Sequence, residues 1–193
     1  MSPTPARKPH RQRGFSLVEV LIAVSLSVVL MGAVMTSFLM LSRSGANLAN
    51  YSDMEAEGRV SLEQFAQDVR QASNIIWNSP TKVTLTFNSA DNVSYELGGL
   101  ANNEFIRLVH NGPTIRKKTL ITGVDNTTFA LTGYTVNGHK LPVSTDAERT
   151  VANRDTKQLQ LQLKSLRSTV TVSTATNSVL SARFILRNKR VTS

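Results

Sequence analysis

In the stretch Arg13-Gly14-Phe15-Ser16-Leu17-Val18-Glu19, an aromatic residue and a carboxylate stand four positions apart. Cutting the Gly14–Phe15 peptide bond would make Phe15 an N-terminus. Its amine would be largely protonated near neutral pH, with a reference pKa of about 7.7–8.0. Helical positions i and i+4 share a face, so Glu19 would lie one turn away on roughly the same side. An ammonium and a carboxylate in an apolar setting offset each other's desolvation when they pair. A negative charge is also favoured near a helix N-terminus.

The setting is apolar. Phe15 to Leu41 spans 27 residues with Glu19 as its only charge. At ~1.5 Å per residue a helix of that length covers about 40 Å, more than a hydrocarbon core of roughly 30 Å. Four basic residues, Arg7, Lys8, Arg11 and Arg13, precede it without an acid, and only Arg43 closely follows. The positive-inside rule keeps the N-terminus cytoplasmic and sends the body outward. A carboxylate in such a helix costs on the order of 2.5–3.5 kcal/mol on insertion scales. Three readings compete. A cleaved secretory signal needs a shorter apolar core and a small-x-small site, whereas Phe38, Leu39 and Met40 close this one. A plain signal anchor accounts for length and charge but leaves Glu19 to snorkel. Cleavage at Gly14 gives Glu19 a partner.

Residues 13–19, with the basic leader and the apolar run, resemble the class III signal of type IV pilins and type II secretion pseudopilins. The resemblance implies that a prepilin peptidase cuts after Gly14 and N-methylates Phe15. It also implies that Glu19 meets the Phe15 amine of a neighbouring subunit and sets axial register. The implied partners are the peptidase, other pilins through the N-terminal helix, and the inner membrane. The implied location is the inner membrane, single-pass with the head in the periplasm, and then an envelope fibre.

Beyond Leu41 the positions Leu48, Tyr51, Glu55, Gly58, Leu62, Phe65, Val69, Ala72 and Ile76 step by three and four. This predicts an amphipathic continuation packed on a domain, with Tyr51 and Phe65 as core contacts. No proline interrupts Phe15–Ile76, so one helix of about 60 residues and ~90 Å is expected. Gly45 and Gly58 are its weak points, each costing up to ~1 kcal/mol. The run Leu62-Glu63-Gln64-Phe65-Ala66-Gln67-Asp68-Val69-Arg70-Gln71-Ala72 is similar to the helix end of J-type minor pseudopilins and W-type minor pilins. Asp68 and Arg70 are expected to be solvated or locally paired. Many major pilins carry a proline in the apolar segment and a C-terminal disulfide; this chain has neither that proline nor any cysteine.

Residues 77–193 read mainly as strands. Lys82–Phe87, Val93–Leu97, Phe105–His110 and Thr114–Ile121 form an expected antiparallel meander, with Asn111-Gly112 as a hairpin signal. Thr127–Tyr134 is a candidate fifth strand, and Gln158–Leu163 alternates with leucines on one face. Thr169–Thr176 reads as strand or loop, and His139–Asp155 as a loop. The expected fold class is α+β and pilin-like: a long helix on an antiparallel head. The expected segments are a leader at 1–14, an assembly helix at 15–41, its continuation at 42–76 and a head at 77–193.

Enzymatic patterns are missing. His10, His110 and His139 are widely spaced, and no phosphate loop or nucleophile elbow occurs. No catalytic residue, metal or cofactor is expected. Asp125, Asp146, Glu148 and Asp155 could offer oxygen ligands, but at no recognisable calcium-loop spacing. The net charge of +9 and the run Arg116-Lys117-Lys118 leave nucleic-acid contact as an option beside a charge-guarded edge strand. The chain is thus expected to be a minor pilin or pseudopilin that primes or caps a periplasmic pseudopilus. The alternative is a minor type IV pilin at a pilus tip, in adhesion or DNA uptake.

Overall fold

A computed structural model describes residues 14–87, 91–169 and 172–191. The basic leader residues Arg7, Lys8, Arg11 and Arg13, and His10, lie outside the described residues. The chain forms two compact units, one ending at Ser44 and one beginning at Gly45. Helix α1 (Leu17–Gln71) contributes to both.

In the first unit every described residue of α1 is exposed, including the apolar run from Leu17 to Leu41. By length and composition this helix can cross a membrane. Hydroxyls in the run Leu17–Leu41 would be costly in hydrocarbon without partners. The four there bond inside the helix instead: Ser25 to the Leu21 carbonyl, Ser27 to Ala23, Thr36 to Gly32 and Ser37 to Ala33, at 2.7–2.9 Å.

In the second unit α1 buries Met54, Gly58, Ser61, Phe65, Ala66, Asp68 and Val69. This is the expected amphipathic face, rotated slightly from the sequence stripe. Tyr51 was expected in the core but is 49% exposed. Phe65 is fully buried and centres an aromatic cluster with Tyr95, Phe105 and Phe184 at ring separations of 4.9, 6.2 and 5.9 Å. Gly58 interrupts the stripe because Leu180 fills its place: a Cβ there would lie 3.0 Å from that side chain.

The helix stops at Gln71, earlier than Ile76. The Gln71 carbonyl is capped by the Asn188 side-chain amide, and the Ser73 N–H donates to the Thr86 carbonyl at 2.8 Å. Residues Asn74–Ser79 form strand β1, with Ile75 and Trp77 inward and Ile76 outward. An alternation of bulky β-prone residues took over where the three-four stripe could still be extended.

Five antiparallel strands follow in chain order: β1, β2 (Lys82–Thr86), β3 (Asp91–Gly98), β4 (Glu104–Asn111) and β5 (Thr114–Thr122). The expected meander thus gains β1. Between β4 and β5 the loop is Gly112-Pro113, closed by the Asn111–Thr114 pair. Gly112 has φ +58°, and proline fixes the next φ near −65°, which selects a type II′ turn.

A second sheet has the order β7 (Lys140–Leu141), β6 (Ala130–Tyr134), β8 (Gln158–Thr169), β9 (Val172–Ile185). The candidate strand at 127–134 therefore belongs to this second sheet and starts later. Its core leucines Leu159, Leu161 and Leu163 are fully buried, as the alternation requires. The sheets meet where β5 ends. Gly123 has φ +68°, and its carbonyl accepts from Leu166 N–H at 2.8 Å; a Cβ at Gly123 would come within 2.2 Å of the Leu166 carbonyl oxygen. Only glycine fits there.

The polar segment 139–155 is not a loop throughout. It holds β7 and helix α2 (Asp146–Asp155). Thr145 caps α2 through Glu148 N–H, and the Glu148 carboxylate returns to the Thr145 N–H at 2.9 Å. This reciprocal box nucleates a helix with almost no apolar periodicity. The result is the expected α+β, pilin-like layout, with a two-sheet head.

Candidate processing and assembly site

Gly14 and Phe15 lie at the exposed start of the helix. Phe15 is 81% exposed, and a Cβ at Gly14 would meet nothing within 4 Å. The backbone here is exposed and outside the helix, a setting open to a peptidase. Ser16, the small hydroxyl of the motif, has a local role that the motif did not assign. Its hydroxyl accepts from the Glu19 N–H at 3.2 Å, so it caps α1. Ser16-x-x-Glu19 is the capping-box pattern, which could have been recognised. Glu19 is the acidic residue of the first turn and is exposed. The carboxylate therefore stands where the helix dipole favours it and where an N-terminal amine would be within a turn.

One arrangement in the head has the outline of a catalytic pair. Ser94 Oγ lies 3.0 Å from His110 Nε2 and 2.9 Å from Thr84 Oγ1, and Thr84 donates to Asn78 Oδ1 at 2.7 Å. Each hydroxyl has one hydrogen to give. Thr84 spends its own on Asn78, so it accepts from Ser94, and Ser94 must accept from the imidazole. A general base would have to accept from the serine. The chain of bonds runs the wrong way for an activated nucleophile.

The candidate oxygen ligands each hold a local task. Asp125 accepts from Thr127 N–H and hydroxyl, and these bonds hold its pKa below the ordinary range. Glu148 is lowered first by the Thr145 N–H. Asp146 pairs with Arg149, and Asp155 with Arg154. Among the described residues no three His, Asp or Glu side chains come together.

The basic run divides between two faces of β5, an edge strand. Lys117 pairs with Glu104 at 3.4 Å. Arg116 and Lys118 alternate with it, and Lys118 stands opposite Arg107.

Asp68 departs most from expectation. It is buried, and its Oδ2 accepts from Tyr95 OH and from Arg107 Nε, both at 2.7 Å, while Gln64 reaches Oδ1. Burial, then the Asp68 charge, push the Tyr95 hydroxyl far above its usual pKa. Burial works to lower Arg107, and the bond and charge of Asp68 outweigh it. Arg70, by contrast, is exposed and lies 5.8 Å over the Phe184 ring.

The family model for the prokaryotic N-terminal methylation motif matches residues 9–35, the segment that holds Gly14, Phe15 and Glu19. No curated protein matches the chain.

Proposed function

We propose that this chain is a minor pseudopilin, a structural subunit that primes or caps a periplasmic pseudopilus. Prepilin peptidase removes the leader at Gly14–Phe15 and methylates the Phe15 amine. The helix then leaves the inner membrane for a fibre, with the head in the periplasm. In the fibre, Glu19 pairs with the Phe15 amine of a neighbouring copy or of another pilin. The observation that carries this reading is the match to the N-terminal methylation motif over a helix start that is exposed and apolar beyond Glu19. The absence of a proline from the apolar segment 15–41 and of any cysteine from the chain favours a pseudopilin over a pilus-tip subunit.

The polarity of Glu19 and its charge separate experimentally. The helix cap uses the Ser16 hydroxyl and the Glu19 backbone N–H, which glutamine at position 19 leaves in place. Pairing with an ammonium needs the charge. Glu19→Gln should therefore leave membrane insertion and leader cleavage intact while sharply reducing incorporation, read by cysteine crosslinking between neighbouring N-terminal helices. Undiminished crosslinking in Glu19→Gln would refute the pairing role.

A further inference from the structure

Sheets end in strands whose outer N–H and C=O groups lack partners, and proteins blunt such edges by covering, charging, bulging or shortening them. The two sheets have four edges among the described residues. Three are blunted. β1 is covered by α2, whose Asn153 Oδ1 accepts the Trp77 N–H at 2.6 Å, and its register shifts between Trp77 and Ser79. β5 carries Arg116, Lys117 and Lys118, and Thr122 at its end accepts from Ser165. β7 has two residues.

β9 is left open. Over Asn177–Ile185 its register with β8 is unbroken. The segment has no proline, and its only charge is Arg183. That guanidinium lies 3.6 Å over the Tyr134 ring and bonds Gln160, across the sheet and away from the edge. Leu186 N–H donates to the Lys157 carbonyl on the β8 side. Strand alternation then turns the N–H groups of Val179, Ser181 and Arg183 outward. Among the described residues no backbone bond leaves Asn177–Ile185 on that side.

A groove with a volume of about 350 Å³ lies beside this strand, lined by Leu62, Glu63, Ala66, Gln67 and Arg70 of α1 and by Phe184. We propose that β9 and this groove receive an extended segment of another protein by strand addition. The segment's backbone would pair with the outer edge of Asn177–Ile185, giving affinity, and its alternate side chains would enter the groove, giving selectivity. The groove sets Leu62, Ala66 and Phe184 beside Glu63, Gln67 and Arg70, which calls for β-branched residues of mixed character, valine or threonine, at those alternate positions. β9 of a second copy cannot supply them. Its inward residues are spent on its own helix, Leu180 against Gly58 and Phe184 against Phe65.

The test uses the full chain in detergent and a nine-residue peptide of alternating valine and threonine, N-methylated at every second residue so that it offers one bonding edge. Hydrogen exchange is followed at individual amides. The peptide should slow exchange at Val179, Ser181 and Arg183 by about tenfold or more. Val179→Pro removes one outward donor without touching the β8 ladder, and Gln67→Trp fills the groove from its exposed rim. Each should abolish the protection while leaving the melting temperature near that of the parent. Three results would overturn the proposal: no protection of β9, equal protection of β1 or β5, or peptide-binding variants that keep full protection. Protection that grows with protein concentration in the absence of peptide would instead assign the edge to a second copy.

Discussion

At Asp68 a single carboxylate holds a tyrosine and an arginine from neighbouring strands against the helix. Removing the anion would leave the Arg107 cation and the Tyr95 hydroxyl in a buried site. Truncating one partner of such a group costs about 3–5 kcal/mol. Asp68→Ala should lower stability by that order in urea unfolding of the full chain in detergent, and a change under about 1 kcal/mol would show the network to be incidental. The network was hidden in the sequence because its partners lie 27 and 39 positions away. The adjoining Arg70, expected to be solvated or locally paired, is exposed and stacks over Phe184. Lys189 is a second buried charge. Its ammonium donates to the Asn153 carbonyl in the last turn of α2, and burial lowers its pKa from 10.5 to about 8, with Asp155 opposing and Lys157 reinforcing the shift. The folded state therefore binds fewer protons than the unfolded state between those values, so stability should rise with pH across that window and fall back as pH drops through 8. The rise should be on the order of 2 kcal/mol. Lys189→Met should flatten it, as seen in urea midpoints at pH 7 and pH 10, and an unchanged rise would assign it to other groups.

Among elements, α2 shows how a cap can outweigh composition. Its residues are polar, and the chain around it is rich in turn formers, so periodicity gave no helix. The signal lay in Thr145-x-x-Glu148, and the same pattern at Ser16-x-x-Glu19 starts α1. Thr145→Ala should cost about 1 kcal/mol and speed amide exchange in α2 while sparing β6 and β8. Exchange that stays slow would mean that packing against β1, with Ala152 in the core, suffices to hold the helix. The strands were easier to read because their alternation is local: KVTLT and QLQLQL bury every second residue, as their pattern demands. β1 was lost to the helix because Ala72 and Ile76 continue a three-four stripe. The partition of strands into two sheets depends on long-range pairing, such as β6 with β8 and Gly123 with Leu166, which no local pattern encodes.

For the whole molecule, the apolar run 15–41 and the head make separate demands. The head closes its own core around Phe65 and the two sheets. The apolar run has no cover in the isolated chain, and a contiguous apolar surface of that extent calls for lipid or for other helices. That requirement was legible in the sequence, as was Glu19's conflict with it. Leader cleavage would join the two through one covalent event, the exposure of the Phe15 amine. The most direct measurement is the intact mass and N-terminal fragmentation of the chain extracted from membranes of cells with active prepilin peptidase. The account predicts a chain that begins at Phe15 and carries one added methyl on its amine, with Gly14→Val leaving the leader attached. A chain that keeps Met1 in those cells, or one cut at another bond, would contradict it.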